Sequence, residues 1–234
     1  MINKVFLKSE ADRIGICLDD QALNRFDLFA KLLIEWNNKM NLTAITEPDD
    51  IVLKHFIDSI TPLSCFDIEE NAKIIDVGCG AGFPGLPLLI VRPDLDVTFF
   101  DALEKRLKFI TVVLDEFGLD GTPVHGRAED FGNKPEYREQ YDYAFTRAVA
   151  PLNVLAEYCL PFVKMGGRYI SMKGADDETR LGANAIKELG GEIEQVISLK
   201  LSNGDSRNLI SIRKISQTSS EYPRKSKKIT SRPL

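Results

Sequence analysis

Hydrophobic residues in the first part of the chain recur at intervals of three and four, which is the spacing of an amphipathic helix. One such stripe runs through residues 23–36, and Asp19 or Asp20 can cap its start. A second stripe predicts a helix over residues 49–63. The pattern therefore predicts an N-terminal helical extension that covers residues 1–70.

After this extension, short apolar runs alternate with amphipathic stretches. Such alternation predicts β-α-β units, which form a mostly parallel sheet with helices on both faces. The last two runs are close in sequence and predict an antiparallel pair. We therefore expect an α/β fold of the Rossmann type over residues 71–215, with an antiparallel last strand. The predicted strands are 73–77, 97–100, 123–125, 141–146, 168–172, 192–201 and 208–212, and the predicted helices are 85–91, 104–117, 151–162 and 177–189.

Charge is distributed unevenly along the chain, whose formal net charge is −5. From residue 204 onwards, eight lysines and arginines face two acids, so the C-terminal part is basic and the body is acidic. We assign residues 216–234 to a basic tail, and the last fifteen or so residues are expected to be weakly structured. Such a tail is either a contact for a polyanion or a solvated terminus.

The cysteines and the N-terminus bear on the cellular setting. The four cysteines are scattered without a C-x-x-C pair, which favours neither a zinc site nor a disulfide framework, and no metal is expected. The first residues lack the pattern of a signal peptide, and no apolar run approaches the ~18 residues of a membrane span. These features predict a cytoplasmic protein with no membrane partner.

The stretch VGCGAGFPG, which follows the first predicted strand, fits two kinds of cofactor loop. Gly80, Gly82 and Gly85 match the dinucleotide fingerprint G-x-G-x-x-G. The same stretch read from Asp76, with glycine at every second position from Gly78 to Gly82, matches the pattern that holds S-adenosylmethionine. In both cases glycine lets the backbone approach a ligand at the end of a strand.

Three details favour S-adenosylmethionine over a nicotinamide dinucleotide, which stays the alternative. The carboxylate of Asp76 would favour a sulfonium and repel a diphosphate. Pro84 and Pro87 lack the N–H donors that a pyrophosphate needs. Asp101 ends the second predicted strand, where an acid can accept both ribose hydroxyls, which excludes only NADP. After the third predicted strand, Glu129 can meet an adenine edge or complement a helix dipole.

The segment after the fourth predicted strand, FTRAVAPL at residues 145–152, bears on the methyl acceptor. It lacks the Asn/Asp-Pro-Pro-aromatic element that orients exocyclic amines. No cysteine ends the fourth or fifth strand, so activation of a pyrimidine carbon by a thiolate is not expected. Guanine N7 is an acceptor that needs neither an amine-orienting element nor a thiolate, because its lone pair is free in the base plane. Alignment of this lone pair with the methyl group supplies most of the rate.

Basic residues at the ends of these strands are candidates for holding the acceptor. Arg147 and Lys173 are candidates for positioning a guanine. The structural alternative for Arg147 is an ion pair with Asp101 or Glu129. The candidates for contact with RNA are Arg127, Lys173, Arg207, Arg224, Lys225, Lys227 and Lys228.

Several separate motifs occur in a familiar order, from NKMNLTAIT and LKHFIDSI through DVGCGAGFPGLPLLIVRP, GRAED, TRAVAPL and MKG to YPRK. On these motifs, from about Leu33 to the C-terminus, the chain resembles the RsmG (GidB) family of bacterial 16S rRNA methyltransferases. The resemblance implies a class I methyltransferase fold and methylation of N7 of guanine 527 in 16S rRNA. The implied contacts with S-adenosylmethionine are Gly78, Phe83, Ala128, Glu129 and Arg147, with Asp101 at the matching ribose position.

Further expectations concern the partner and the N-terminal motifs. The resemblance implies 16S rRNA, the small ribosomal subunit or its assembly intermediate as the partner. The protein is expected to be a monomer. A small-molecule methyltransferase and a non-catalytic ribosome-associated module are the alternatives. Asn41, His55 and Asp58 match the N-terminal motifs without an assigned role, and His55 is either a hydrogen-bonded structural histidine or an RNA contact.

Overall fold

A seven-stranded sheet organises the computed structural model, which describes residues 1–147 and 150–234. The strand order is β3-β2-β1-β4-β5-β7-β6, with β1 to β5 parallel and β7 antiparallel to both of its neighbours. This confirms the predicted Rossmann-type sheet and its antiparallel last strand. The strands are β1 (Lys73–Val77), β2 (Asp96–Asp101), β3 (Thr122–His125), β4 (Tyr141–Arg147), β5 (Val163–Lys173), β6 (Gly191–Lys200) and β7 (Ser206–Lys214).

Helices cover both faces of the sheet and form the N-terminal extension. In the extension they are α1 (Lys4–Arg13), α2 (Asp20–Met40), α3 (Pro48–Asp50), a π-helix (Ile51–Ile57) and α4 (Asp58–Cys65). Around the sheet they are α5 (Gly85–Val91), α6 (Glu104–Phe117), α7 (Ala128–Phe131), α8 (Leu152–Cys159), a 3-10 turn (Leu160–Phe162), α9 (Thr179–Glu188) and α10 (Ser226–Ser231). Within the described ranges no helix is long and apolar enough to cross a membrane.

The long helix α2 ties the extension to the sheet. The side chain of Asp19 accepts a hydrogen bond from the backbone of Ala22 and caps the helix, as one of the two predicted candidates. Phe29 is fully buried and stacks on Phe83 and Phe109, with ring centroids 5.2 and 6.2 Å away. Phe83 follows Gly82 of the glycine loop, and Phe109 lies on α6. Because Phe29 of the extension packs on both, the extension and the sheet share one apolar core.

The helix predicted over residues 49–63 is a different structure. It is divided into α3, the π-helix and α4, which together run from Pro48 to Cys65. In the π-helix each amide bonds a carbonyl five residues earlier, so the turn is wider than in an α-helix. The apolar spacing on which the prediction rested does not distinguish these two windings. The widened turn lies beside the end of β4, as described below.

The C-terminal tail is ordered, which corrects the expectation of weak structure. Tyr222 and Ile229 are buried, and α10 forms within the tail. Arg138 donates hydrogen bonds to the carbonyl oxygens of Tyr222 and Thr218, at 2.8 and 2.6 Å. Arg138, which anchors the tail through these bonds, lies some eighty positions earlier in the chain. A local sequence pattern therefore does not reveal them.

The motif TRAVAPL is described only in part. Ala148 and Val149 lie outside the described residues. Arg147 ends β4, and Pro151 precedes the first residue of α8 as its N-cap. The predicted strand and helix on either side of the gap are therefore present.

Gly85, the first residue of α5, tests how closely the glycine loop packs on β2. A Cβ atom built there would lie 2.6 Å from Cε1 of Phe99 and 2.9 Å from Oδ2 of Asp76. We expect Gly85→Ala to lower the free energy of unfolding by about 1–3 kcal/mol, because the added methyl overpacks this contact. Urea denaturation followed by circular dichroism measures the change.

Gly174→Ala is the matched control, because no heavy atom lies within 4 Å of a Cβ atom at that position. Its free energy of unfolding should stay within about 0.5 kcal/mol of the wild-type value. Equal stability of Gly85→Ala and the wild type would show that the loop does not pack as described.

Candidate cofactor and acceptor site

The ends of the central strands bring most of the predicted site residues to one edge of the sheet. Asp76 lies in β1, and Gly78 follows that strand directly. Asp101, Arg147 and Lys173 end β2, β4 and β5, respectively. In a parallel sheet of this kind, ligands bind outside the carboxyl ends of the strands, where the strand order reverses. The order reverses here between β1 and β4.

The glycine loop after β1 has the backbone geometry that only glycine adopts readily. Gly78, Gly80 and Gly82 have φ angles of +73°, +58° and +89°. The amide of Gly78 donates to the carbonyl of Phe100, so the loop is fastened to β2. A Cβ atom at Gly80 would meet nothing within 4 Å, which leaves its backbone open to a ligand.

Asp101 holds this loop in place. Its Oδ2 atom accepts hydrogen bonds from the amide of Gly80 at 3.0 Å and from Arg106 at 3.2 Å. Its Oδ1 atom accepts from the amide of Leu103 at 2.8 Å. The carboxylate therefore has three protein donors already. A ribose contact at Asp101 stays a prediction, and the ribose would share the acceptor atoms with these donors.

Asp76 is fully buried and only half satisfied. Its Oδ2 atom accepts a hydrogen bond from the amide of Gly85 at 2.8 Å, while Oδ1 has no partner among the described residues. Burial raises the pKa of Asp76 to about 7, although the Gly85 bond and the charge of Arg147 favour the ionised form. A buried carboxylate oxygen without a partner fits a donor or a positive charge supplied by a ligand.

Two cavities lie at this edge of the sheet. The first, which we call the β2–β3 cavity, has a volume of about 250 Å³ and lies at the ends of β1, β2 and β3. The second, the Arg147 cavity, has a volume of about 360 Å³ and lies between the N-terminal extension and the ends of β4 and β5. The β2–β3 cavity is lined by Val77, Gly78, Phe100, Asp101, Ala102, Gly126, Arg127, Ala128, Glu129, Leu155, Tyr158 and Ser226. The Arg147 cavity is lined by Ile45, Lys54, His55, Asp58, Arg147, Met172, Lys173, Gly174 and Arg207.

Arg147 joins the end of β4 to the π-helix. Its Nη1 group donates to the carbonyls of Lys54 and His55 at 3.0 and 3.3 Å and lies 3.4 Å from Oδ2 of Asp58. Its guanidinium carbon lies 4.8 Å from the centre of the Phe83 ring. The structural alternative for Arg147 named Asp101 or Glu129 as its partner, whereas the acidic partner in the structure is Asp58 of α4.

His55 is hydrogen-bonded and stacked within this network, as its structural interpretation predicts, and its contact with RNA stays a prediction. Its ring stacks on Phe83 with centroids 4.3 Å apart and an interplanar angle of 11°. Burial lowers the pKa of His55 to about 3, and the charge of Arg147 adds to this, so the ring is neutral. Because Nδ1 accepts from Arg147 at 3.1 Å, Nε2 carries the proton and donates to Thr43 Oγ1 at 2.8 Å.

The other basic residues of the Arg147 cavity also have acidic partners. Arg207 Nε lies 2.9 Å from Oδ1 of Asp58, so one buried carboxylate bridges two arginines. Lys173 is almost fully buried and pairs with Glu178 at 3.0 Å. Arg147, Lys173 and Arg207 thus form a basic wall that is partly neutralised and firmly positioned.

Besides Lys173 and Arg207, which line the Arg147 cavity, five candidates for RNA contact divide into two groups. Arg127, Lys225, Lys227 and Lys228 are exposed. Arg224 is not free for RNA in the same way, because its Nη2 group lies 2.6 Å from Oε2 of the fully buried Glu157. Arg224 is therefore held as a structural anchor, and its contact with RNA stays a prediction.

Buried thiols do not contribute a nucleophile to this edge. Cys79 and Cys159 are buried, and burial raises the pKa of both thiols. Sequence reasoning missed several residues around the site, because only packing brings them there. They are Thr43, Lys54, Glu157, Tyr158, Glu178 and Ser226.

Solved structures share the fold over most of the chain. A putative methyltransferase from Bacillus halodurans superposes on 68% of this chain and 99% of its own, with a TM-score of 0.54 and 14% identity. An S-adenosylmethionine-dependent O-methyltransferase from Thermotoga maritima covers 80% of this chain and 72% of its own, with a TM-score of 0.51 and 18% identity. At such identities the likeness shows the fold alone. That fold is the class I methyltransferase fold, as predicted.

Sequence comparison is more specific. The model of the GidB family, described as rRNA small subunit methyltransferase G, matches residues 22–210. A ribosomal RNA small subunit methyltransferase G from Desulforamulus reducens is 47% identical over 94% of both chains. The protein of the same name from Alkaliphilus metalliredigens is 44% identical over the whole of both chains. The chain therefore belongs to the GidB family of small-subunit rRNA methyltransferases, which confirms the resemblance.

The half-satisfied carboxyl of Asp76 predicts a pH dependence of ligand binding. Below about pH 7 the free protein holds this carboxyl protonated. A cationic ligand such as S-adenosylmethionine favours the carboxylate, lowers its pKa and so releases a proton on binding. Affinity should therefore rise from pH 6 to about pH 7 and then level off, as measured by isothermal titration calorimetry.

Asp76→Asn is the control for this dependence. The variant should bind S-adenosylmethionine more weakly at pH 8, and its affinity should lose the rise between pH 6 and 7. A wild-type pH profile that persists unchanged in Asp76→Asn would assign the titration to another group.

Proposed function

We propose that the protein transfers a methyl group from S-adenosylmethionine to N7 of a guanine in 16S rRNA, the guanine at position 527. The proposal rests on one arrangement above all. At one edge of the sheet lie the unpartnered oxygen of Asp76, a cavity that Gly78 lines and that suits a nucleoside, and a second cavity with an arginine wall. Membership of the GidB family supports the rRNA of the small subunit as the substrate class.

The residues of the β2–β3 cavity fit the adenosine part of this cofactor. Phe100 and Leu155 give it apolar walls, and the segment from Gly126 to Glu129 supplies backbone and carboxylate groups for a base edge. Gly78 and Gly80 let the backbone come close to the ligand. Bound S-adenosylmethionine supplies an electrophilic methyl group on a positively charged sulfur. Asp76 is placed to stabilise positive charge on the cofactor.

The Arg147 cavity fits the acceptor base. The guanidinium of Arg147, which stacks on Phe83, forms one wall of this cavity. Lys173 and Arg207 are further basic residues in its lining. A guanidinium can hold guanine O6 or a neighbouring phosphate. Because the carbonyls of the π-helix fix this group before the substrate arrives, little reorganisation is needed on binding.

The chemistry demands little of the protein beyond alignment. Methylation of N7 uses a lone pair in the base plane and removes no proton from the base, so the reaction needs no general base. The chain's own residues bind the two partners, orient N7 towards the methyl carbon in line with sulfur, and exclude water. The neutral His55 and the buried thiols agree with this assignment, since neither is poised for acid–base or nucleophilic work.

A methylation assay tests the chemistry directly. Purified protein, labelled S-adenosylmethionine and either 30S subunits or free 16S rRNA should give label at guanine 527. Borohydride reduction and aniline cleavage, which break the chain at N7-methylguanine, locate the product. Arg147→Ala should lower kcat by more than tenfold, since it removes the wall of the acceptor cavity.

The assay also separates the alternatives. Label on an exocyclic amine or on a carbon would contradict N7 chemistry. Cofactor binding without transfer to any rRNA would favour a small-molecule acceptor. Absence of cofactor binding would favour a non-catalytic ribosome-associated module.

Exposed lysines of the tail, together with Arg127, provide a surface for the RNA backbone. Lys227 and Lys228 lie on α10, and Arg127 lines the β2–β3 cavity. The double variant Lys227→Glu with Lys228→Glu should weaken the binding of RNA whatever the RNA sequence. The double variant should also reduce the slope of log K against log[salt] by about 2, because each phosphate contact contributes about one unit. Filter binding at several salt concentrations measures both.

Lys164→Glu with Arg213→Glu is the charge-matched control. Both residues are exposed and lie at the opposite edge of the sheet, near the start of β5 and the end of β7. Their double variant should bind rRNA with the wild-type salt slope. An equal loss in both double variants would show a general effect of net charge instead of a contact at the tail.

A further inference from the structure

The C-terminal tail forms part of the wall of the β2–β3 cavity. Ser226, the first residue of α10, lines this cavity together with Tyr158 of α8. The two hydroxyl oxygens lie 3.0 Å apart, within hydrogen-bond distance. The cavity walls between them and the glycine loop are mostly apolar, with Phe100 and Leu155 prominent. The hydroxyl pair therefore adds to the polar groups of this cavity, which also include Asp101, Arg127 and Glu129.

A buried ion pair fixes the chain just before Ser226. Arg224 Nε and Nη2 donate to Oε1 and Oε2 of Glu157 at 2.8 and 2.6 Å. The backbone amide of Arg224 donates to Oε1 as well, at 2.8 Å. Glu157 is fully buried and adjoins Tyr158 in α8, so the same turn of helix holds both Arg224 and Ser226. Such a bidentate pair sets both distance and direction.

Further contacts hold the tail on both sides of this pair. Asn133 donates to the carbonyl of Pro223 at 3.3 Å, and Arg138 donates to the carbonyl of Tyr222 at 2.8 Å. Beyond Ser226, Ile229 is fully buried. Ser226 is thus held at the cavity by anchors that precede and follow it in sequence.

We propose that the tail, residues 216–234, is a structural part of the cofactor pocket, and that Ser226 and Tyr158 are cofactor-binding residues. The Arg224–Glu157 pair is the positioning element that keeps the hydroxyls at the cavity. The proposal rests on the proposed function, because it takes the β2–β3 cavity as the site of the adenosine moiety. In this arrangement the tail has two faces, with the hydroxyl of Ser226 at the pocket and Lys227 and Lys228 exposed.

Calorimetric titration with S-adenosylhomocysteine tests the proposal on the full-length protein without RNA. Ser226→Phe should weaken binding by at least tenfold, because the ring occupies the cavity. Tyr158→Phe and Ser226→Ala should each weaken binding by a few-fold. The double variant Tyr158→Phe with Ser226→Ala should lose less affinity than the product of the two single losses, since the two hydroxyls bond each other and act together.

Ser231→Phe is the matched control, because Ser231 is exposed at the other end of the same short helix. It should bind with wild-type affinity. Thermal unfolding of each variant without ligand checks that the fold is intact, and the conservative Tyr158→Phe and Ser226→Ala variants carry the test if Ser226→Phe unfolds.

The outcomes separate this proposal from the proposed function. Wild-type affinity in Ser226→Phe, Tyr158→Phe and Ser226→Ala, with binding intact in the wild type, would overturn the role of the tail alone. A wild-type protein that binds no S-adenosylhomocysteine would overturn the proposed function itself.

Discussion

The buried guanidinium of Arg147 is the constraint on which the site depends. A charged group inside a protein is costly unless hydrogen bonds and an opposite charge surround it. The N-terminal extension supplies these through two carbonyls of the π-helix, the ring nitrogen of His55 and the carboxylate of Asp58. The extension is therefore not an appendage to the sheet. Without it the residue at the end of β4 would lack the partners that let it remain charged and fixed beside Phe83.

The π-helix of the extension contains two of the partners of this arginine. The carbonyls of Lys54 and His55 accept hydrogen bonds from Arg147 Nη1 at 3.0 and 3.3 Å. Asp58 follows immediately and bridges Arg147 to Arg207. Local backbone geometry, charge balance and the shape of the acceptor cavity are thus one connected feature. Substitutions at these residues should have coupled effects on stability, because the residues share hydrogen-bond and ion-pair partners.

Sequence reasoning predicted the sheet and the glycine loop because both leave local marks. Alternating apolar runs define the strands, and the glycines at 78, 80 and 82 stand where positive φ is required. It could not predict the π-helix, whose apolar spacing matches that of an α-helix. It also missed the partner of Arg147, which is 89 residues away, and the anchors of the tail, because contacts between distant residues have no local pattern. Charge alone suggested RNA contact for Arg224, whereas packing gives it to Glu157.

The contrast between two buried acids separates structure from function at this edge. Asp58 is surrounded by arginines, so its charge is used within the fold. Asp76 has one oxygen bonded to Gly85 and the other without a protein partner, in a setting that raises its pKa to about 7. A buried carboxylate oxygen without a hydrogen-bond partner lowers the stability of the fold. This unpartnered oxygen beside the glycine loop is the observation that supports the proposed contact between Asp76 and the cofactor.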